Sequence, residues 1–169
     1  MKFSTRAIHV PGIRHDGAIA PPIHLSTTFE HGPANESLTE YEYVRSGNPN
    51  ANELEARLAS LEGGSAALVY GSGMAATTAL MASLRPGAEI LIHRDSYYDT
   101  RTVAAELMAP LGIRHKVVDL RDEAALEGML SEDTAMIWVE TPSNPRLDIL
   151  DIASLADRAH SVGAALAVD

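Results

Sequence analysis

The sequence predicts an α/β fold: a mostly parallel sheet flanked by helices, preceded by an irregular N-terminal arm. Three observations predict it. From about residue 50, short apolar runs of strand length alternate with runs of helix length, which is how βαβ units read. Glycine and proline pairs punctuate the junctions between them. Residues 1–48, by contrast, are dense in Pro, Gly, His and Thr and hold no sustained period.

Within the arm, Pro11-Gly12, Pro21-Pro22 and Gly32-Pro33 predict extended or looped backbone. So long an irregular stretch is functional or tied to a partner more often than idle. Leu54, Leu58 and Leu61 then recur at helical spacing, and Gly63-Gly64 closes that helix. Ala66 to Tyr70 reads as a strand, Gly71-Ser72-Gly73 as a turn, and Met74 to Leu84 as a helix stopped by Pro86-Gly87. The alternation continues with a strand at 89–93, a helix at about 100–109 and a strand at 113–118. A helix at about 122–130, a strand at 135–139, a helix capped by Asp151 and running to about 162, and a strand at 164–168 complete it. In such sheets ligands gather at the C-terminal ends of the strands. The residues with chemistry to offer fall there.

Bulk properties narrow the field. A net charge of −10 argues against nucleic acid or an anionic membrane as partner. With no cysteine there is no disulfide, thiolate metal site or cysteine nucleophile. The opening MKFSTRAIHVPG has no apolar core of a secretory signal, and no apolar run is long enough to span a bilayer, so a cytoplasmic setting is expected. The sequon at Asn35 is then accidental. The seven histidines are scattered without H-E-x-x-H spacing, and no metal site is assigned.

Five segments could carry chemistry. Tyr70-Gly71-Ser72-Gly73-Met74 joins a strand to a helix, where close backbone approach and free N–H groups suit a phosphate; a plain tight turn is the bland alternative. Gly71 to Ala76 also satisfies G-x-G-x-x-A, with Asp95 lying 19 residues beyond Ala76, so a nicotinamide cofactor is a rival. Glu140-Thr141-Pro142-Ser143-Asn144-Pro145 follows a strand, and its prolines restrict the backbone around Asn144, which could bind a ligand oxygen or cap its own turn. Asp169 follows the apolar run 164–168, where a carboxylate asks for a cationic partner or serves as a helix cap. Tyr43 and Arg45 offer a hydroxyl and a planar fork suited to phosphate, and Tyr97-Tyr98 offers rings able to stack. A solvated arginine and surface tyrosines are the bland readings of these last two.

In order and spacing these segments resemble the cystathionine/methionine-metabolism family of pyridoxal-phosphate (PLP) enzymes, across essentially the whole chain. The likeness rests on Pro21-Pro22-Ile23 with Ser26-Thr27-Thr28-Phe29, Tyr43-x-Arg45-x-x-Asn48-Pro49, Ser72-Gly73-Met74-Ala75-Ala76 and Glu140-Thr141-Pro142-x-Asn144-Pro145. It implies the large domain of the aspartate-aminotransferase-like fold, with residues 1–48 an inter-subunit arm and 49–169 the first part of the PLP-binding domain. It implies that Ser72, Gly73 and Met74 hold the phosphate, that Tyr97 stacks on the ring and assists proton transfer, that Asn144 meets the ring oxygen and that Asp169 meets the ring nitrogen. Tyr43 and Arg45 would serve a neighbouring subunit's phosphate in a homotetramer built as a dimer of dimers.

Two departures count. Tyr98 stands where the family commonly carries Gly and Asp99 where methionine γ-lyases tend to carry Cys, and the Tyr97-x-x-Thr100-Arg101 form with the Tyr41-Glu42-Tyr43-x-Arg45 run resembles cystathionine γ-synthases, which implies γ-replacement on an activated homoserine ester. Cystathionine γ- or β-lyase, methionine γ-lyase and O-acetylhomoserine sulfhydrylase are the alternatives within the class. The only lysines are Lys2 and Lys116, neither beyond Asp169, so the cofactor's covalent lysine is expected outside this chain. The isolated chain would then be a non-catalytic module.

Overall fold

The computed structural model describes residues 1–10, 13 and 15–169; the Pro11-Gly12 turn expected above lies outside them. The chain divides into two compact units, Met1–Tyr70 and Gly71–Asp169.

In the first unit, α1 (Phe3–Ile8) and α2 (Pro49–Glu62) pack together. Asn48 caps α2 by accepting from the Asn50 N–H at 2.9 Å, Pro49 occupies its first turn, and Gly63 ends it in the left-handed conformation at φ 69°. The helix α1 was not expected. Six residues do not hold a helix in water unaided; Arg57 on α2 donates to the Ala7 carbonyl at 3.0 Å, and Arg6 donates to the Ser60 carbonyl. Between the helices the arm is irregular, as expected, apart from isolated bridges pairing Thr28 with Tyr43 and His31 with Ser37.

The expected strand at 66–70 does not form. A strand exists only as part of a ladder, and this stretch has no strand beside it among the described residues. The Val69 N–H goes instead to the Glu55 carboxylate at 2.9 Å, and Leu68 is 71% exposed.

The second unit is a four-stranded parallel sheet in the order β2-β1-β3-β4, made of β1 (Glu89–His93), β2 (Arg114–Val118), β3 (Thr134–Val139) and β4 (Ala165–Val168). Helices cover both faces. On one, Ile90 and Ile92 of β1 pack with Met136 and Trp138 of β3, with Met81 of α3 (Gly73–Ala82), and with Ala104 and Met108. These last two lie on a helical path that begins as α4 (Tyr98–Thr102) and continues through a π-helical turn, Val103–Met108, and a 3-10 turn, Ala109–Leu111. On the other face, Leu91 and Ile137 pack with Leu126 of α5 (Glu123–Glu127) and with Leu155 and Ala159 of α6 (Ile152–Ser161). All five residues of β1 are buried, so alternate side chains anchor two different layers. Among the described residues no helix is long and apolar enough to cross a membrane.

Candidate functional site

The strands run parallel, so the loops leaving β1, β3 and β4 emerge at one end of the sheet. Tyr97 follows β1 and opens α4; Asn144 follows β3; Asp169 follows β4. Tyr97 and Asn144 line one cavity of about 370 Å³, together with Arg94, Arg101 and Arg146. The Asp169 N–H donates to the Val139 carbonyl at 2.8 Å, which places the end of β4 beside the end of β3. Ser72–Met74 and Asp169 do not line that cavity.

The loop after β3 is fastened to itself. Ser143 is fully buried, its hydroxyl accepts from the Asp148 N–H at 3.1 Å, and the Thr141 hydroxyl accepts from the Leu150 N–H at 3.0 Å. Asn144 stays exposed. It caps its own turn through no side-chain hydrogen bond among the described residues, so its amide is available to a ligand.

Glu140 supplies what the sequence reading missed. It is 9% exposed, one carboxylate oxygen accepts the Tyr97 N–H at 2.6 Å, and the other accepts the Asn144 N–H at 3.0 Å. The signal that singled out Asp169, a carboxylate directly after an apolar strand, is present equally at Glu140 and would have found it.

At the start of α3, the Ser72 hydroxyl caps the helix by accepting from the Ala75 N–H at 3.1 Å. The N–H groups of Gly73 and Met74 sit in the first turn, where no helical carbonyl lies behind them. A Cβ added at Gly71 or Gly73 meets nothing within 4 Å. Open space over two bare glycines and free helix-end donors fits a phosphate.

Hydrogen bonding with, and repulsion by, the adjacent Asp99 carboxylate push the Tyr97 phenol above its ordinary pKa. At neutral pH this phenol is a proton donor rather than a base. In the first unit, the Arg45 guanidinium lies 4.3 Å from the centre of the Tyr43 ring, a cation–π pair, and Arg45 is exposed.

The cavity wall holds a charged network centred on Asp95. Asp95 contacts Arg94 at 3.2 Å, Arg146 at 3.7 Å and Arg121 at 3.9 Å. With its carboxylate so engaged, Asp95 is ill placed to hold a ribose hydroxyl, and the strand that a dinucleotide fingerprint needs before Gly71 is absent; the nicotinamide reading does not hold. His93, Asp95 and Asp148 come close enough to suggest a metal site. The His93 Nδ1 accepts the Leu120 N–H at 3.2 Å, however, so the ring proton sits on Nε2 and no lone pair faces the two carboxylates. Burial lowers the pKa of His93 and keeps it neutral.

Asp119, just past β2, hydrogen-bonds Arg121 at 2.9 Å and meets Arg94 at 3.1 Å, and the Arg121 hydrogen bond lowers its pKa to about 2. A carboxyl group depressed by folding stabilises the fold above its ordinary range and loses that contribution as pH falls through the folded value. Asp119→Asn is therefore expected to destabilise by up to about 1 kcal/mol near neutral pH. The difference should shrink between about pH 4 and pH 2 and vanish below. Thermal unfolding of both proteins across that range checks it; a gap that stays constant would refute the assignment.

The sequence model described as Cys/Met metabolism PLP-dependent enzyme matches residues 4–169. The chain is 37% identical over 164 residues to the cystathionine gamma-lyase of Bos taurus, covering 95% of this chain and 40% of that protein. It is 39% identical over 170 residues to the cystathionine gamma-synthase of Mycobacterium tuberculosis (strain ATCC 25618 / H37Rv), covering 98% and 44%. The crystal structure of apo CalE6, a methionine gamma lyase from Micromonospora echinospora, superposes with a TM-score of 0.87 at 37% identity, covering 100% of this chain and 46% of that one. The chain thus spans about two-fifths of the length of the curated relatives it matches.

Proposed function

The chain belongs to the Cys/Met metabolism PLP-dependent enzyme family, and from that premise we propose that its protein performs γ-replacement on an activated homoserine ester to form cystathionine. The observation carrying the cofactor assignment is that Tyr97 and Asn144, on loops leaving adjacent parallel strands, face one cavity. The preference for a synthase rests on Asp99, where methionine γ-lyases tend to carry Cys, and on the Tyr97-x-x-Thr100-Arg101 and Tyr41-Glu42-Tyr43-x-Arg45 runs. Relatives catalysing elimination and relatives catalysing replacement match at similar identity, so lyase activity is the reading against which the synthase must be tested.

The residues divide the work. Gly73 and Met74 donate backbone N–H groups to the cofactor phosphate at the positive end of α3, and the Ser72 hydroxyl, while capping the helix, retains its own hydrogen to donate. Tyr97 lays its ring on the cofactor and holds a proton on its phenol. Asn144 donates to the ring oxygen, and Asp169 pairs with the ring nitrogen. When bound, pyridoxal phosphate supplies an electron sink for charge developing on the substrate carbons. Neither lysine of this chain suits the covalent role, because Lys116 lies on β2 and pairs with the buried Glu89 at 3.0 Å, and neither Lys2 nor Lys116 follows Asp169 in sequence as the family's lysine does. Tyr43 and Arg45 serve the phosphate of a neighbouring subunit in a homotetramer. The arm's near-fully exposed Ile19, Ile23 and Leu25 support burial against such a partner.

The deciding experiment supplies the full-length protein with O-succinylhomoserine and cysteine and measures cystathionine, against separate assays with cystathionine, methionine or sulfide as substrate. Absence of cystathionine formation overturns the synthase assignment. A narrower test is Gly73→Val. Its Cβ enters open space, so thermal unfolding of the cofactor-free protein should be unchanged. The branched side chain crowds the phosphate seat, and PLP affinity is expected to fall by about 10-fold or more, the loss of one good charge-assisted hydrogen bond. Unchanged affinity would place the phosphate elsewhere.

A further inference from the structure

We propose that Glu140 is a positioning residue that sets the distance between Tyr97 and Asn144 and thereby seats the cofactor ring. The inference rests on the reading that those two residues hold the ring.

The two N–H groups it binds belong to loops that have left the sheet, where no ladder partner remains for them. Glu140 follows the last residue of β3 directly, so its backbone is anchored in the sheet. Its two oxygens reach in two directions, 2.6 Å to the Tyr97 amide and 3.0 Å to the Asn144 amide. A buried carboxylate needs compensation. Among the described residues Glu140 forms no ion pair, and the two amides are its only hydrogen-bond partners. Its flanking residues extend the same hub to the third ring contact: the Val139 carbonyl accepts the Asp169 N–H at 2.8 Å, and the Thr141 N–H donates to the Asp169 carbonyl at 3.4 Å. The tripeptide 139–141 therefore ties the backbone of Tyr97, Asn144 and Asp169 to the end of one strand.

Only a carboxylate of this length spans both amides. Glutamine matches its shape but offers one acceptor, and its NH₂ confronts the other N–H donor to donor. Aspartate keeps both acceptors but is one methylene short of spanning them. Misplacement of a positioning group by about 1 Å costs on the order of 100-fold in rate.

The test uses the full-length protein with pyridoxal phosphate and the variants Glu140→Gln and Glu140→Asp, alongside Tyr97→Ala and Asn144→Ala. The readouts are cofactor affinity, the induced circular dichroism of the bound cofactor, kcat and KM separately, and thermal unfolding of the cofactor-free form. Glu140→Gln should weaken cofactor binding by about 10- to 100-fold, alter the induced signal and lower kcat more than it raises KM. Glu140→Asp should fall between it and the parent. A merely structural role lowers the unfolding temperature and leaves affinity and signal as in the parent; that outcome in Glu140→Gln overturns the proposal. If Glu140→Gln does not fold, parental affinity and signal in Glu140→Asp overturn it equally. If Tyr97→Ala and Asn144→Ala also keep parental affinity and signal, the underlying assignment of the ring contacts fails; if they weaken binding and the Glu140 variants do not, only the positioning role falls.

Discussion

Replacing Asp169 with Asn in the full-length protein is expected to lower kcat by about 100- to 1000-fold while leaving the fold intact. The size follows from the role of the carboxylate, since removing one preorganised charged group aimed at a reacting centre costs about that much. Asn keeps the shape and the backbone contact to Val139, which is made by the main chain, so the sheet end should be undisturbed. On the proposed role, what it loses is the negative charge that would keep a ring nitrogen protonated and the cofactor effective as an electron acceptor. Steady-state kinetics, with far-ultraviolet circular dichroism as the folding control, measure it. A kcat within about threefold of the parent would remove Asp169 from the cofactor's surroundings.

The second large effect concerns the scaffold. Leu91→Ala is expected to destabilise by about 3 kcal/mol, within the range for a fully buried leucine that leaves a cavity. Leu91 is 0% exposed in the centre of β1, packed in the cluster that joins the sheet to α5 and α6. Marginal stability makes a loss of this size a large share of the total. Denaturant unfolding should show a lower midpoint with unchanged slope. A midpoint shift worth less than about 1 kcal/mol would mean that this layer is not the stabilising core.

The central sheet was legible because its signals are local. Glu89-Ile90-Leu91-Ile92-His93 is bounded by Pro86-Gly87 on one side and a polar turn on the other, and β1 forms over those five residues. The strands at 114–118, 134–139 and 165–168 each begin within one residue of their expected start. What failed depended on neighbours. Ala66 to Tyr70 has the composition of a strand, but composition does not supply the adjacent chain that a ladder requires. The helix α1 has no cap and too few residues, and exists through Arg57 and Arg6. Helix α5 stops at Glu127, short of the expected Leu130, where Gly128 interrupts it.

The candidate site divides the same way. Residues in short motifs, Ser72-Gly73-Met74 and Asn144, stand out in one dimension. The bond from Glu140 to Tyr97 links positions 43 apart in sequence; only folding makes them neighbours. Asp95 misled for a related reason: its spacing from Ala76 suggested a ribose ligand, while its partners Arg121 and Arg146 are brought to it only by folding.

The two borders of the sheet are chemically unlike. One border, β2, carries Arg114 and Lys116, cations that deter a stray strand from docking there. The other, β4, reads Ala165-Leu166-Ala167-Val168 with no charge to repel an incomer, and Val168 is 47% exposed. Growth of the sheet is thus directional. Further extended chain, whether native or from another molecule in a concentrated solution, should add beside β4 and not beside β2, with Leu166 on β4 already committed to the core it packs against.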